Sequence, residues 1–477
     1  MGEIEDRVID KVFREYDVRG IAGSELTHDF AYALGAAFGA LLKERKPDAK
    51  SVSVGRDARL SSESLAAHVI DGIVSTGIDV VDIGLCATPL QYFSIHTLNL
   101  DGGIMVTGSH NPPEYNGFKI SIGRETIFGQ EIQRLKQKMT EKSPPDAPVK
   151  GTVQRYDINA AYSMFMKERF SFLSGTEYRK FKVVVDAGNG TGGIVAPEIF
   201  SAMGCEVIPL YCEPDGRFPN HHPDPTVVEN IQDLIRVTRQ ENADIGIGYD
   251  GDSDRIGVID HTGRIIWGDQ IMIILARDIL KRHPGAVIIG DVKCSQAMFD
   301  DIDRRGGKAV MWKTGHSLVK DKMKKDAALL AGEFSGHIFI GENYFGFDDA
   351  LYTSFRLVEI MKTSGMGLDA LLFDIPRTAH TPEIRIDCPD SLKQVVVAEI
   401  VQKCRDYALS GGGPLPIRKI YDIDGARVVF DKGWGLVRSS NTQPVIVMRF
   451  EAEDEEALRT YQSFLEKELE KAVSSIH

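Results

Sequence analysis

The sequence predicts an α/β fold: three related α/β domains with mixed and parallel sheets, then a C-terminal α+β domain. Three observations carry this reading. The chain has 477 residues, room for three or four domains. A strand–Asp–helix–Gly–strand unit recurs, spanning 20 residues from Asp57 to Gly77, 18 from Asp186 to Gly204 and 15 from Asp291 to Gly306. A repeat of that form reads as β-α-β with parallel strand pairs. From about residue 377 the pattern changes to strands, one long helix and a helical tail.

In chain order, residues 1–20 end in Tyr16-Asp17-Val18-Arg19-Gly20. An arginine there, after a strand, either reaches a ligand or sits in a surface turn. Residues 27–42 read as a helix, with Thr27 as N-cap and Phe30, Leu34, Phe38 and Leu41 at helical spacing. Residues 51–57 read as a strand ending in Gly-Arg-Asp, 61–77 as a helix closed by glycine, and 79–84 as the next strand. The second unit starts at 181–186 and returns at 206–210; the third starts at 286–291 and returns at 308–312. Pro-rich and Gly-rich stretches at 143–148 and 411–416 read as a loop near the end of the first domain and a long loop within the last. Beyond 377, strands are expected near 383–386, 426–430 and 445–449, with a helix over 392–407. The tail, 455–473, carries Leu458, Tyr461, Leu465, Leu469 and Ala472 on one helical face.

Composition narrows the function classes. The apolar fraction is 43%, the charged fraction 26% and the net charge −13, a balance that argues against a nucleic-acid or anionic-membrane surface. Six scattered cysteines without a C-x-x-C spacing point to reduced thiols instead of a disulfide frame or zinc site. The first residues are acidic and lack an apolar h-region, and the longest apolar-rich stretch, 31–42, is too short for a bilayer. The expectation is a cytoplasmic protein, monomer or homodimer, with a small-molecule partner.

Five motifs carry chemistry. An apolar run at 103–106 feeds Thr107-Gly108-Ser109-His110-Asn111-Pro112-Pro113, which holds one hydroxyl beside one imidazole on a turn. Such a serine is either a nucleophile or part of a polar turn. Asp250-Gly251-Asp252-Ser253-Asp254-Arg255 follows a strand end. Carboxylates at i, i+2 and i+4 project together if the backbone is extended, and their repulsion asks for a hard cation, Mg²⁺ or Ca²⁺. An EF-hand does not fit, since Arg255 and His261 stand where that loop needs glycine and glutamate. Glu333-Phe334-Ser335-Gly336-His337 offers a carboxylate and a hydroxyl for vicinal sugar hydroxyls, and Lys313-Thr314-Gly315-His316-Ser317 a cation and an imidazole. Arg438-Ser439-Ser440-Asn441-Thr442-Gln443-Pro444 reads as an anion cradle or a polar turn.

The order and form of these motifs resemble the α-D-phosphohexomutase family, in its bacterial phosphomannomutase/phosphoglucomutase branch, along nearly the whole chain. The resemblance implies four domains around a central cleft, at 1–154, 155–258, 259–376 and 377–477. It implies that Ser109 is the phosphoserine, and that its phosphoryl group with Asp250, Asp252 and Asp254 holds one Mg²⁺. Glu333 and Ser335 would grip the 3- and 4-hydroxyls of a hexose. Arg438, Ser440, Asn441 and Thr442 would hold the phosphate that is not reacting. Tyr16, Arg19, Lys293 and His316 would complete the substrate site. Lys119, His110, Arg255 and His337 would carry protons and charge, the general acid/base being Lys119 or His337. The implied reaction converts hexose 1-phosphate to hexose 6-phosphate through a hexose 1,6-bisphosphate. Asn441 resembles the mannose/glucose branch; the phosphoglucosamine branch tends to glycine there. Phe334 departs from the methionine that dual-specificity members often carry, and is expected to point away from the sugar with little effect. A phosphoglucosamine mutase, a serine-dependent metallophosphatase and a non-catalytic phosphosugar-binding protein remain as alternatives.

Overall fold

The computed structural model describes residues 11–141, 147–411, 413–440 and 443–476. Two expected phosphate ligands, Asn441 and Thr442, and most of the linker at 143–148 lie outside the described residues. Among those described, the strands form sheets of seven, five, four and six strands.

The first three sheets share one motif. A central strand (Ser51–Arg56, Lys182–Asp186 or Val287–Asp291) runs parallel to a strand on each side. One neighbour follows the repeat's helix: Asp79–Leu85, Glu206–Leu210 or Lys308–Trp312. The other (Gly102–Val106, Ile245–Tyr249 or Leu330–Gly332) pairs antiparallel with the next strand in sequence. The second and third of these central strands are buried on both faces, which is why they read as Val/Ile runs, whereas the first alternates valine with serine. The β-α-β repeats expected from the sequence are present, and the antiparallel fourth strand makes each sheet mixed.

Thr27 caps the helix His28–Arg45, its hydroxyl accepting from Phe30 N at 3.1 Å. Arg19 lies within the strand Val18–Ile21, paired with Gly117, not in a surface turn. The second sheet continues through Ile265–Ile266, so a boundary at 258/259 cuts the strand Ile256–Asp260. The last sheet is antiparallel and carries the helices Asp390–Ser410 and Glu455–Ile476 on one face. Leu458, Tyr461, Leu465, Leu469 and Ala472 are buried there. One apolar core runs continuously through the first three units, joining Leu90 and Phe93 to Tyr162, Phe200, Ile271 and Phe355. Those units therefore pack as one block. All six cysteines are unpaired, and among the described residues no helix is long and apolar enough to cross a membrane.

Candidate active site

The Ser109 loop leaves the strand Gly102–Val106 and returns as Tyr115–Ile122, so both its ends are pinned by antiparallel pairing. Inside it Ser109 has φ +48°, a conformation uncommon for a residue with a Cβ. Its neighbours hold it there. Asp57, just past the first central strand, accepts from Thr107 Oγ1 at 2.8 Å and Gly108 N at 3.1 Å. Thr107 Oγ1 accepts in turn from Ser109 N at 2.8 Å. Arg59, fully buried, donates to the carbonyls of Ser109 (2.7 Å), Asn111 (2.5 Å), Pro112 (2.5 Å) and Tyr115 (2.9 Å), and pairs with Asp57 at 3.3 Å. Position 108 must be glycine, because a Cβ would stand 2.4 Å from Arg59 Nε. So held, Ser109 Oγ donates to Asp250 Oδ2 at 2.8 Å and lies 3.1 Å from His110 Nδ1. Burial first, then the positive charges of Arg255 and Arg19, keep His110 well below its ordinary pKa, so it is a neutral imidazole.

The three aspartates converge, but not on an extended backbone. The Asp250 carboxylate accepts from Asp254 N and Arg255 N, both at 3.1 Å, and Ser253 N donates to Asp250 O at 3.1 Å. With Ser253 at φ +60°, this is a curled loop. The curl brings carboxylate oxygens of Asp250, Asp252 and Asp254 within 4.8 Å of one another. Burial, then the charges of Asp254 and Asp252, push Asp250 far above the usual carboxylate range. Asp254 is held well below it, against burial, by Lys119 and His337. Lys119 Nζ donates to Asp252 Oδ2 at 2.7 Å and to Asp254 Oδ2, and Thr88 Oγ1 donates to Asp252 Oδ2 at 2.5 Å. Asp252 Oδ1 remains a buried acceptor without a donor. An all-oxygen, over-charged cluster with a spare buried lone pair fits a hard divalent cation such as Mg²⁺.

The loop from Asp250 to Arg255 is laced to the third unit. Arg255 bridges to His337 in antiparallel fashion, and Ile256 N donates to Gly336 O at 3.1 Å. Glu333 accepts from Gly315 N and, at 2.6 Å, from His337 Nδ1. One lone pair on each of its oxygens stays available to a hydroxyl. Burial opposes a charge on His337, but Asp254 and the hydrogen bonds to Asp254 and Glu333 lift it to about 9. His337 Nε2 lies 3.3 Å from Asp254 Oδ1 and 3.2 Å from Arg255 Nε. Gly315, at φ +134°, lets the Tyr16 ring approach, where a Cβ would stand 2.8 Å from it. Tyr16 also meets His316 edge-on, with ring centroids 5.6 Å apart.

Across a cleft of about 590 Å³ lies the C-terminal domain. Arg438 is the penultimate residue of the strand Gly433–Ser439 and is gripped by Asp424, at 2.9 Å from Nε. Lys393 Nζ donates to the carbonyls of Ser440 (2.6 Å) and Gln443 (3.1 Å), pinning both ends of the cradle loop. The cleft is lined by Tyr16, Arg19, Ser109, His110, Lys119, Asp254, Arg255, Lys293, His316, Glu333, Ser335, His337, Arg438 and Ser440, with Asp250 and Asp252 buried beneath. Lys293 does line it, but its ammonium is paired with Glu383 at 2.7 Å. Reading the sequence missed Arg59, Thr88, Glu383 and Lys393. Arg59 alone left a trace, two residues after the strand-end Asp57; the others act through folding of distant segments.

The comparisons agree along the whole chain. Residues 10–145, 160–263 and 267–378 match the phosphoglucomutase/phosphomannomutase alpha/beta/alpha domains I, II and III, and 383–468 match the C-terminal domain. A phosphomannomutase/phosphoglucomutase of Pseudomonas aeruginosa is 44% identical over 466 residues, covering 98% of this chain and 96% of its own. A phosphoglucomutase of Neisseria gonorrhoeae is 41% identical over 453 residues, covering 95% of each. The crystal structure of a phosphoglucomutase/phosphomannomutase family protein from Burkholderia thailandensis superposes with a TM-score of 0.87 at 40% identity, covering 97% of each chain. With four domains matched in order and relatives this similar end to end, the chain belongs to the phosphoglucomutase/phosphomannomutase family.

Proposed function

We propose that the protein is a phosphohexomutase that interconverts the 1- and 6-phosphates of mannose and glucose. The observation that carries this reading is Ser109 Oγ, 2.8 Å from the first of three clustered aspartates and facing the Arg438 cradle across one cleft. In the working form Ser109 carries a phosphoryl group. The sugar's free hydroxyl takes it: the Ser109 Oγ–P bond breaks and a sugar O–P bond forms, while Lys119 or His337, each holding a proton at rest, gives that proton to the departing Ser109 Oγ and takes up the hydroxyl proton in return. The product is a hexose 1,6-bisphosphate. It turns over in the cleft and returns its other phosphoryl group to Ser109, leaving the isomeric monophosphate. Arg438, Ser440, Asn441 and Thr442 hold the phosphate that is not reacting, while Glu333 and Ser335 take the sugar hydroxyls. Tyr16, Arg19, Lys293 and His316 close the site, and His110 and Arg255 flank the nucleophile. Mg²⁺ bound at Asp250, Asp252, Asp254 and the phosphoserine would neutralise charge on the transferring group. Domain roles follow the loops: phosphoserine in the first, metal in the second, sugar in the third and phosphate in the fourth, with the second boundary moved past Ile266.

The test is turnover of mannose 1-phosphate, glucose 1-phosphate and glucosamine 1-phosphate with Mg²⁺ and a trace of glucose 1,6-bisphosphate, following free phosphate in the same tubes. Conversion of the first two without phosphate release, abolished by Ser109→Ala, supports the reading. Preference for glucosamine 1-phosphate overturns the specificity. Phosphate release without isomerisation identifies a phosphatase and overturns the mutase.

A further inference from the structure

The sheet of the C-terminal domain has two buried faces. Ala426, Val428, Val437, Met448 and Phe450 face its helices. The alternate residues, Arg427, Trp434, Leu436, Arg449 and Glu451, point the other way, onto the third unit. They are almost wholly buried. Arg427 stacks on Trp434, 3.8 Å from the ring centroid, and donates to the carbonyls of Val292 (2.7 Å) and Cys294 (2.6 Å). Glu451 accepts from Ser295 Oγ at 2.6 Å.

Arg449 is the most telling member. Its guanidinium lies 3.6 Å over the centroid of Phe334, whose other contacts include a stack on Trp267 at 5.6 Å. It also donates to the carbonyl of Lys293 and lies 3.8 Å from Asp269. Phe334 stands between Glu333 and Ser335, the two expected sugar ligands. Arg449 is not part of the cleft wall, yet it grips two cleft residues of another domain, the Phe334 ring and the Lys293 backbone. Arg438 lies on the same docking face, two residues beyond Leu436 on the same strand. One contact therefore links the segment expected to hold the sugar to the strand paired with the one that carries Arg438. Reading the sequence did not find this pairing, because the partner of Phe334 is more than a hundred residues away in the chain.

We propose that Arg449 and Phe334 are a pair of positioning residues that set the spacing between the hydroxyl clamp and the phosphate cradle. The proposal rests on the mutase reading. A phosphosugar must reach both half-sites at once, and misalignment of either loses the advantage of binding both together. Arg449→Met and Phe334→Leu are each expected to raise KM for glucose 1-phosphate roughly tenfold, the scale of one desolvated cation–aromatic contact. The double variant should show no more than the rise of Arg449→Met alone, not the product, because either change alone already breaks the contact the two residues share. KM does not depend on the folded fraction, so partial unfolding does not mimic this pattern. An unchanged KM in either single variant, or multiplied effects in the double, overturns the proposal. If the wild type binds glucose 1-phosphate but does not isomerise it, the mutase reading fails separately; calorimetric Kd for that sugar in the same four proteins then replaces KM, and the same two patterns support or overturn the pair.

Discussion

Replacing Arg59 by lysine tests whether the nucleophile is held by one buried guanidinium. The planar fork meets four carbonyls of the loop at 2.5–2.9 Å and Asp57 at 3.3 Å. A lysine keeps the charge but concentrates three donors at one point, so one or two of these buried or half-buried carbonyls lose their partner. Each such orphan costs about 1–3 kcal/mol, a total near 2–4 kcal/mol and below the ~5–15 kcal/mol that holds a domain together. The variant should therefore fold, with the loss concentrated in a loop whose Ser109 already sits at φ +48°. A shift of the nucleophile by ~1 Å is enough to cost ~10²-fold in rate. The assay combines kcat with glucose 1-phosphate, intact mass for Ser109 phosphorylation after incubation with glucose 1,6-bisphosphate, and a thermal melt. The expected result is a kcat and a phosphorylation rate lowered about a hundredfold in folded protein. A kcat within threefold of wild type would refute the reasoning, because the loop would then hold its shape without the fork.

Three further outcomes are expected. Chelation should abolish turnover and Mg²⁺ restore it; Asp252→Asn should raise the Mg²⁺ needed for half-maximal rate at least ~10-fold, since it removes one of three anionic ligands. Against burial, the charge of Lys293 and its hydrogen bond hold Glu383 at about 2, below its ordinary 4.5. A depressed carboxyl stabilises the fold above the unfolded pKa and loses that contribution as pH falls from 4.5 to 2. Glu383→Gln should then lower stability by up to about 3 kcal/mol at pH 7 and far less at pH 2–3, read by chemical denaturation; equal losses at both pH values would show that the pair is not the cause. Lys393→Met frees the Ser440 and Gln443 carbonyls that it pins, and should raise KM for hexose phosphates several-fold while leaving the phosphorylation of Ser109 by the bisphosphate less affected.

The second and third repeats were legible because a doubly covered parallel strand is largely apolar; the first, with Ser51 and Ser53 in its strand, was legible from its matching Asp-helix-Gly spacing. The nucleophile, the aspartates and the two sugar-side loops were legible because each is a contiguous stretch. What stayed hidden was contact across sequence distance. Thr88 holds Asp252 from 164 residues away, and Arg427 reaches Val292 from 135. Local pattern carries no sign of either. The extended geometry inferred for Asp250, Asp252 and Asp254 failed for another reason: the side chain of Asp250 captures the N–H groups of Asp254 and Arg255, and that competition with extended backbone is built into Asx chemistry.

The three repeats place different chemistry at one equivalent point, the connection between the third strand and its antiparallel partner. Ser109 lies there in the first, the aspartates in the second and Glu333 to His337 in the third. A loop with both ends in an antiparallel pair has little freedom to travel. The shared core fixes the three sheets against one another, and the Arg255–His337 bridge ties two of the loops together. In the proposed reaction one serine must serve both ends of a hexose bisphosphate. A nucleophile pinned in this way cannot move between them, so the sugar has to turn. Turning requires that the far phosphate be let go and caught again by something outside the rigid block. The C-terminal domain carries Arg438 and meets that need, because its main apolar core is separate from the one the first three units share, and its apolar contact with the third unit is the smaller cluster of Val292 with Trp434 and Leu436.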